Sequence, residues 1–181
     1  MTRLGLIAAM TGGAIAFLGA LLASVPGASR AWMKDFPRSR SWGWALALLA
    51  LLWAGWLLYE TPLGAFEKYK PLVFVLTPVA YVLVILFVDE LLAPRALGGL
   101  LLLVPAPMLD AARWHGSAYR YVILVLAYLF AVKGMALVLS PYLFRKTEER
   151  LLGSDTACRL WGGLGLGFGL FVVLLGFTAY R

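Results

Sequence analysis

The stretch "WGWALALLALLWAGWLLY", residues 42–59, contains no charged side chain. An α-helix rises about 1.5 Å per residue, so about 20 apolar residues cross the roughly 30 Å of hydrocarbon in a bilayer. This stretch is close to that length, and it therefore predicts a membrane-spanning helix. Ser41 precedes it and is expected to cap its N-terminus.

Runs of the same kind recur along the whole chain of 181 residues. They cover residues 4–25, 42–59, 71–88, about 94–110, 121–139 and 160–180. The composition agrees, because 62% of the residues are hydrophobic, the mean hydropathy is +0.87 and only 14% are charged, against about 25% in soluble domains. The sequence predicts an all-α polytopic membrane helix bundle of about six transmembrane helices, forming a single domain over residues 1–181.

Two of the runs need separate arguments. The first is longer than the roughly 7–15 apolar residues of a signal peptide, so it is expected to be a membrane helix. The fourth is short, because its uncharged part, "ALGGLLLLVPAPML", lies between the charged residues Arg95 and Asp110. A full crossing requires a helix that starts near Pro94, with Arg95 reaching the interface and Pro105 bending the far end. The alternative is a short re-entrant segment.

Lysine and arginine predict the orientation. The loops after the first, third and fifth runs carry more of these residues than the other side, so they are expected to face the cytoplasm. Both termini would then lie on the non-cytoplasmic side, in a membrane that the short loops indicate to be a bacterial inner membrane. A re-entrant fourth run would remove this bias. Ser154 or Asp155 is expected to cap the last helix.

The loop segment "SRAWMKDFPRSR" mixes aromatic and basic side chains. Such a segment is expected to lie on anionic lipid headgroups, with about 1 kcal/mol contributed by each basic residue. The residues expected to contact headgroups are Arg30, Lys34, Arg38 and Arg40. The alternative is a docking surface for an acidic partner domain.

The first and last hairpins share a spacing pattern. The matching residues are Gly19, Pro26, Arg30 and Trp42 in one hairpin and Gly134, Pro141, Arg145 and Trp161 in the other. The pattern predicts a parallel repeat, with helices 1–2 related to helices 5–6 by a pseudo-two-fold axis along the membrane normal. The alternative is a chance match between ordinary features of membrane helix ends.

Small residues predict the helix contacts. Gly12 and Ala16 in the first run, and Gly162, Gly165 and Gly169 in the last, each lie along one helix face. Small side chains let helix backbones approach closely in lipid. The stretch "GGLGLGFG" contains no Gly-x-Gly-x-x-Gly, so it is not interpreted as a phosphate-binding loop.

Lys133 is the one charge inside the run "AYLFAVKGMALVLSP". A lysine at mid-membrane costs roughly 2.5–3.5 kcal/mol, so the side chain is expected to be buried between helices and paired with a carboxylate. Asp89 and Glu90 end the third run on the same side of the membrane. Two interpretations stay open: a structural ion pair, or a relay for protons or ions.

The remaining residues exclude several classes of function. A single cysteine, Cys158, excludes an internal disulfide, and a single histidine, His115, excludes a multi-histidine metal site within the chain. His115 is interpreted as a solvated loop residue. No motif of a catalytic site, cofactor or metal centre is present, and the basic residues flank apolar runs rather than forming a nucleic-acid surface.

The sequence therefore favours a non-enzymatic integral membrane protein. We expect a structural or accessory subunit of a larger complex, in contact with lipids and with other membrane subunits. The alternative is a small transporter or ion-conducting protein that uses Lys133 with Asp89 or Glu90. A third interpretation, binding of a quinone or pigment, depends on Trp53 and Trp56 alone.

Overall fold

The computed structural model describes residues 2–88, 91–142, 146 and 153–180, and at positions 65 and 66 the backbone alone. It is 87% helical, with no strand in these residues. The helices are α1 (Arg3–Ser24), α2 (Pro26–Asp35), α3 (Arg40–Glu60), α4 (Val73–Phe87), α5 (Leu92–Leu103), α6 (Pro105–Arg113), α7 (Arg120–Leu139) and α8 (Asp155–Thr178). A 3-10 turn, Phe36–Arg38, precedes α3, and another, Gly64–Leu72, leads into α4.

Six stretches of the described chain are long and apolar enough to cross a membrane. They are Arg3–Ser24, Arg40–Glu60, Glu67–Phe87, Leu92–Arg113, Arg120–Leu139 and Asp155–Thr178. Each corresponds to one of the predicted runs, so the predicted helical bundle of six candidate spans is confirmed. This is the pattern of an integral membrane protein.

The helix ends follow local chemistry. Pro26 starts α2 directly after the end of α1, because proline fits the first helical turn and cannot continue a preceding helix. Ser154 caps α8 by accepting a hydrogen bond from the Ala157 N–H at 3.1 Å, as expected. The predicted cap at Ser41 is wrong: Ser39 holds that position and accepts from the Trp42 N–H at 3.4 Å. The helix therefore begins before the uncharged run, and it includes Arg40.

The fourth span crosses the full bundle. At its start, α5 lies against the beginning of α3, where a Cβ added at Gly43 would be 3.1 Å from the Leu92 Cβ. At its end, Met108 and Ala112 in α6 belong to the core cluster formed with Leu4 and Tyr180. The re-entrant alternative is therefore wrong. Val104 separates α5 from α6, and Pro105 begins the second segment, where the bend was expected.

Two groups of helices make up the bundle. The first is the pair of α1 and α8, which pack closely along their length. The second is a row in which α4 packs on α3, α3 on α5, and α5 on α7, with α6 also packed on α7. The groups meet where α6 and α7 contact α1 and α8, in a core of Leu4, Ala8, Met108, Ala112, Ile123, Leu126, Ala127, Val172, Leu175 and Tyr180.

The contacts place alternate connections at opposite ends of the bundle. At one end, the Thr2 hydroxyl donates to the Tyr180 carbonyl and the Tyr180 hydroxyl donates to the Tyr119 carbonyl. These bonds join both termini to the loop between α6 and α7. At the other end, Arg30 of α2 pairs with Asp155 of α8. Six crossings require this alternation.

The helix packing does not support the predicted parallel repeat. Gly19 lies against α8, where an added Cβ would be 2.7 Å from the Gly162 carbonyl oxygen, whereas Gly134 lies against α5. The predicted two-fold axis would exchange α1 with α7 and α3 with α8. It would therefore turn the close contact between α1 and α8 into an equally close contact between α7 and α3. In the described part of the chain, α3 and α7 are not closely packed. Superposition of the two hairpins stays a prediction.

Candidate functional site

Lys133 lies in α7 beside the contact between α7 and α5. The next residue, Gly134, is buried, and a Cβ added there would be 2.8 Å from the Gly98 carbonyl oxygen. With about 3.6 residues per turn, neighbouring side chains point about 100° apart, so Lys133 flanks this contact. Its side chain is exposed at the bundle surface. The expectation that Lys133 is buried between helices is therefore wrong.

The surface around Lys133 is apolar. Val125, Tyr128, Leu129 and Val132 of α7 are all about 60% exposed, with values from 59% to 61%. In the described residues, the salt bridges join Arg30 to Asp155 and Lys70 to Glu67, and neither includes Lys133. The predicted pairing with Asp89 or Glu90 falls outside the described residues. Lys133 is thus a cation on an apolar face.

This position is costly in lipid. Lys133 lies six residues before the end of α7 at Leu139, or about 9 Å along the helix axis. Its Cα–Cβ bond leans toward the N-terminus of the helix and so away from that end, which hinders the side chain from reaching the headgroups. A carboxylate supplied at the same depth would satisfy the ammonium group.

A second cluster of charge lies at the end of the bundle formed by α2 and the start of α3. The ring of Trp32 lies 5.1 Å from that of Phe36 and 5.8 Å from that of Trp42, which holds this segment against α3. Arg30 donates to the Asp155 carboxylate at 2.6 Å and to the Gly153 carbonyl at 2.8 Å. Arg30 therefore connects α2 to the start of α8. The sequence predicted only a contact between Arg30 and lipid headgroups.

The other three basic residues of the segment, Lys34, Arg38 and Arg40, are exposed. Arg38 and Arg40 also line a cavity of about 290 Å³. Among the described residues, its lining is Pro37, Arg38, Ser39, Arg40, Trp44, Leu91 and Leu92. The cavity lies where α3 and α5 begin, and its lining combines two arginines and Ser39 with apolar residues.

A polar cluster at the opposite end of the bundle surrounds Tyr180, which is 0% exposed. The Tyr180 hydroxyl donates to the Tyr119 carbonyl at 2.6 Å, and the His115 ring lies edge-on to the Tyr180 ring with centroids 5.5 Å apart. Burial raises the pKa of Tyr180 above its ordinary value of 10.0. Arg120 donates to the His115 carbonyl at 2.9 Å.

His115 is therefore not a freely solvated loop residue. It is half-buried, and its Nδ1 accepts a hydrogen bond from the Ser117 N–H at 3.2 Å. The described residues contain no group of three or more side chains arranged to hold a metal ion. The contacts indicate that this cluster joins the C-terminus to α7.

Sequence reasoning missed the Tyr180 cluster and the arginine-lined cavity. Tyr180 looked like an ordinary aromatic residue at the end of a membrane helix, and nothing in its neighbourhood in the sequence indicates contact with Tyr119. The cavity joins residues 37–44 to Leu91 and Leu92, which are far apart in the sequence. The basic residues of the segment were the only available signal.

No family model, curated protein or solved structure matches this chain. The chemistry around Lys133 and around the cavity therefore carries the functional argument.

Proposed function

We propose that this chain is a non-enzymatic accessory subunit of a larger membrane complex. In this proposal, a transmembrane helix of another subunit packs on α7 and places an aspartate or glutamate beside Lys133. One observation carries the proposal: Lys133 is exposed on an apolar face of a candidate span.

Charge complementarity favours a neighbouring helix that carries a carboxylate. A lysine at the centre of a membrane helix costs about 2.5–3.5 kcal/mol. Lys133 lies about 9 Å from the end of its span, so it bears part of that cost, and lipid tails offer nothing to offset it. A carboxylate on a neighbouring helix would satisfy the ammonium group and would fix the depth at which the two helices pack. Intramembrane charges of this kind generally pair with one another or with backbone carbonyls.

The other exposed faces do not show whether a protein or lipid covers the bundle. Only 6% of the third span and 11% of the second are buried, so much apolar surface is left for other molecules. Lipid covers such surface as well as a protein does, because helix association in membranes lacks a hydrophobic driving force. The exposed cation, not the exposed apolar area, favours a protein neighbour.

The proposal includes a location in a bacterial inner membrane with both termini outside the cytoplasm. Its support is the excess of lysine and arginine on the side of α2 together with the short connections. The proposed partners are membrane lipids and other membrane subunits, with no nucleic acid, cofactor or metal.

The transporter alternative is not favoured by a specific contact. It requires Lys133 inside the bundle, where the lysine could relay protons or ions to Asp89 or Glu90. The exposed position of Lys133 removes the main reason for this alternative. The two carboxylates lie outside the described residues.

The proposal can be tested by native mass spectrometry after extraction from the host membrane in mild detergent. The wild-type chain should appear in an assembly heavier than its own 19.8 kDa. Lys133→Glu should release the chain, because two carboxylates would then face each other, whereas Lys133→Arg should retain the assembly. Lys34→Glu is the matched control, since it reverses an exposed charge outside the spans, and it should also retain the assembly.

The partner must then satisfy a second condition. It should carry a carboxylate within a span, and replacing that carboxylate by lysine should restore assembly with Lys133→Glu. An assembly whose mass is a multiple of 19.8 kDa would instead identify a second copy of this chain. A monomer that carries only lipid, and that behaves identically in all variants, would also refute the proposal.

A further inference from the structure

The cavity beside Arg38 and Arg40 lies at the level where lipid headgroups are expected. Arg40 is the first residue of the second candidate span and Leu92 is the first residue of the fourth, and both line the cavity. Trp44 adds an aromatic wall, and tryptophan is the residue type enriched at the membrane–water interface. We therefore expect the cavity to lie next to the phosphate layer of the bilayer rather than inside the hydrocarbon.

The two arginines of this cavity favour an anion. Asp89 and Glu90, which precede Leu91 in the sequence, lie outside the described residues. Arg38 and Arg40 are exposed and line it, and the salt bridges of the described residues include neither one. A guanidinium group matches the geometry of a phosphate, to which it can donate two parallel hydrogen bonds. Two arginines that line one cavity can both donate to a phosphate group bound there.

The helix arrangement adds to this potential. Both α3 and α5 begin at the cavity, and helix N-termini carry a partial positive charge. Gly43 permits this arrangement, because a Cβ there would be 3.1 Å from both the Cβ and the Cγ of Leu92. A larger residue at Gly43 would separate the two helix starts.

Apart from Ser39, the remaining walls are apolar. Pro37, Trp44, Leu91 and Leu92 face the cavity beside the arginines, so it offers a place for a phosphate and for uncharged carbon next to it. Its volume of about 290 Å³ lies just below the roughly 300–1,000 Å³ of ligand pockets. That size suits a headgroup with its glycerol carbons rather than a whole lipid.

We propose that the cavity is a specific site for the phosphate of an anionic membrane phospholipid. Arg38 and Arg40 hold the phosphate oxygens, and the apolar walls contact the glycerol and the first carbons of the acyl chains. This site is separate from the face around Lys133, and it is distinct from diffuse attraction to a charged surface because it requires these two arginines.

The test is a titration of the protein with phosphatidylglycerol, monitored by native mass spectrometry. The double variant Arg38→Gln/Arg40→Gln should bind the first lipid about 10- to 30-fold more weakly, and each single variant about fivefold more weakly. The matched control is Lys146→Gln/Arg159→Gln, which removes two exposed charges at the same end of the bundle but outside the cavity. It should bind within about twofold of the wild type, because neither side chain lines the cavity and so neither can hold the phosphate there.

Thermal unfolding of both double variants establishes that they are folded, and the single variants replace a double variant that is not. An excess of inorganic phosphate should leave lipid binding unchanged, because the proposed ligand also needs the apolar walls. Equal weakening in the two double variants would show surface attraction only and would overturn the proposal. Efficient competition by inorganic phosphate would overturn it in favour of a free-phosphate site.

Discussion

Single glycines determine how closely α1 and α8 approach. A Cβ added at Gly169 would be 2.6 Å from the Gly12 carbonyl oxygen, and one added at Gly162 would be 2.8 Å from the Gly19 carbonyl oxygen. Both contacts are with backbone atoms, which cannot move aside by changing a rotamer. Gly163 and Gly167 lie on the same helix but have no atom within 4 Å of an added Cβ. On α8, glycine is therefore required for close packing only on the face that contacts α1.

The substitution Gly169→Ala should lower the free energy of unfolding by about 1–3 kcal/mol, because overpacking forces the two backbones apart. Gly167→Ala is the matched control, and it should leave stability unchanged or raise it by up to about 1 kcal/mol through improved helix propensity. Unfolding in mixed micelles with increasing sodium dodecyl sulfate measures both values. Equal effects of the two substitutions would contradict the close packing of α1 and α8.

Burial of Tyr180 should make the stability of the folded protein depend on pH in the alkaline range. Its pKa is raised by burial, so the folded state holds the phenolic proton more tightly than the unfolded chain does. The contribution is fully present below the unfolded pKa of about 10 and is lost as pH rises through the higher folded pKa. The melting temperature in detergent should therefore fall above about pH 10.

The substitution Tyr180→Phe should make that fall shallower. At neutral pH it should lower stability by about 1 kcal/mol, because the Tyr119 carbonyl loses its hydrogen bond. Tyr142→Phe is the control, since Tyr142 is 60% exposed, and it should alter neither quantity. An unchanged alkaline profile in Tyr180→Phe would show that other groups produce the pH dependence.

At the scale of elements, α2 is fixed to the bundle at several points. Arg30 reaches Asp155 and the Gly153 carbonyl at the start of α8, and the rings of Trp32 and Trp42 are perpendicular. The Arg30 side chain is 29% exposed and that of Asp155 is 61% exposed, so water and salt weaken their attraction. The contact orients α2 more than it stabilises the fold.

A double-mutant cycle with Arg30→Gln and Asp155→Asn should give a coupling energy of about 0.2–1 kcal/mol, the usual range for exposed pairs. The coupling should shrink at high salt, because screening shortens the reach of exposed charges. The control is a second cycle that combines Lys34→Gln with Asp155→Asn, for which no coupling is expected. A coupling of zero for Arg30 would mean that it contacts headgroups instead of Asp155.

At the scale of the whole molecule, the spans were predictable but the faces were not. Apolar length identifies a span without any knowledge of its neighbours, and proline at position 105 marked the break between α5 and α6. In lipid, the outer face of a helix is as apolar as the inner one, so hydrophobic periodicity does not reveal which face is buried. Small residues supplied part of the missing information, as Gly12 and Gly169 show.

Lys133 shows the limit of an energetic argument made on one chain. The cost of a charge in hydrocarbon predicts that the charge is covered, but it does not say which molecule covers it. From the sequence we expected the bundle interior to cover Lys133, but its side chain lies on the outer surface. The arginine-lined cavity was missed for a related reason, since it exists only when α3 and α5 come together.

The last prediction concerns the orientation of the whole bundle. The structure places α2 and the start of α8 at one end and the termini with the loop between α6 and α7 at the other. The excess of basic residues near α2 predicts that this end faces the cytoplasm. Reagents that cannot cross the membrane can test it, because the native Cys158 is buried.

New cysteines can be placed at exposed positions at both ends. Ala31→Cys and Thr156→Cys should react only from the cytoplasmic side, and Thr61→Cys and Gly116→Cys only from the outside. The unsubstituted chain measures any reaction of Cys158. Reaction of all four from one side would contradict six crossings. An exact exchange of the two pairs would keep the fold and reverse the orientation, because the packing of α1 on α8 and of α5 on α7 is the same in either direction.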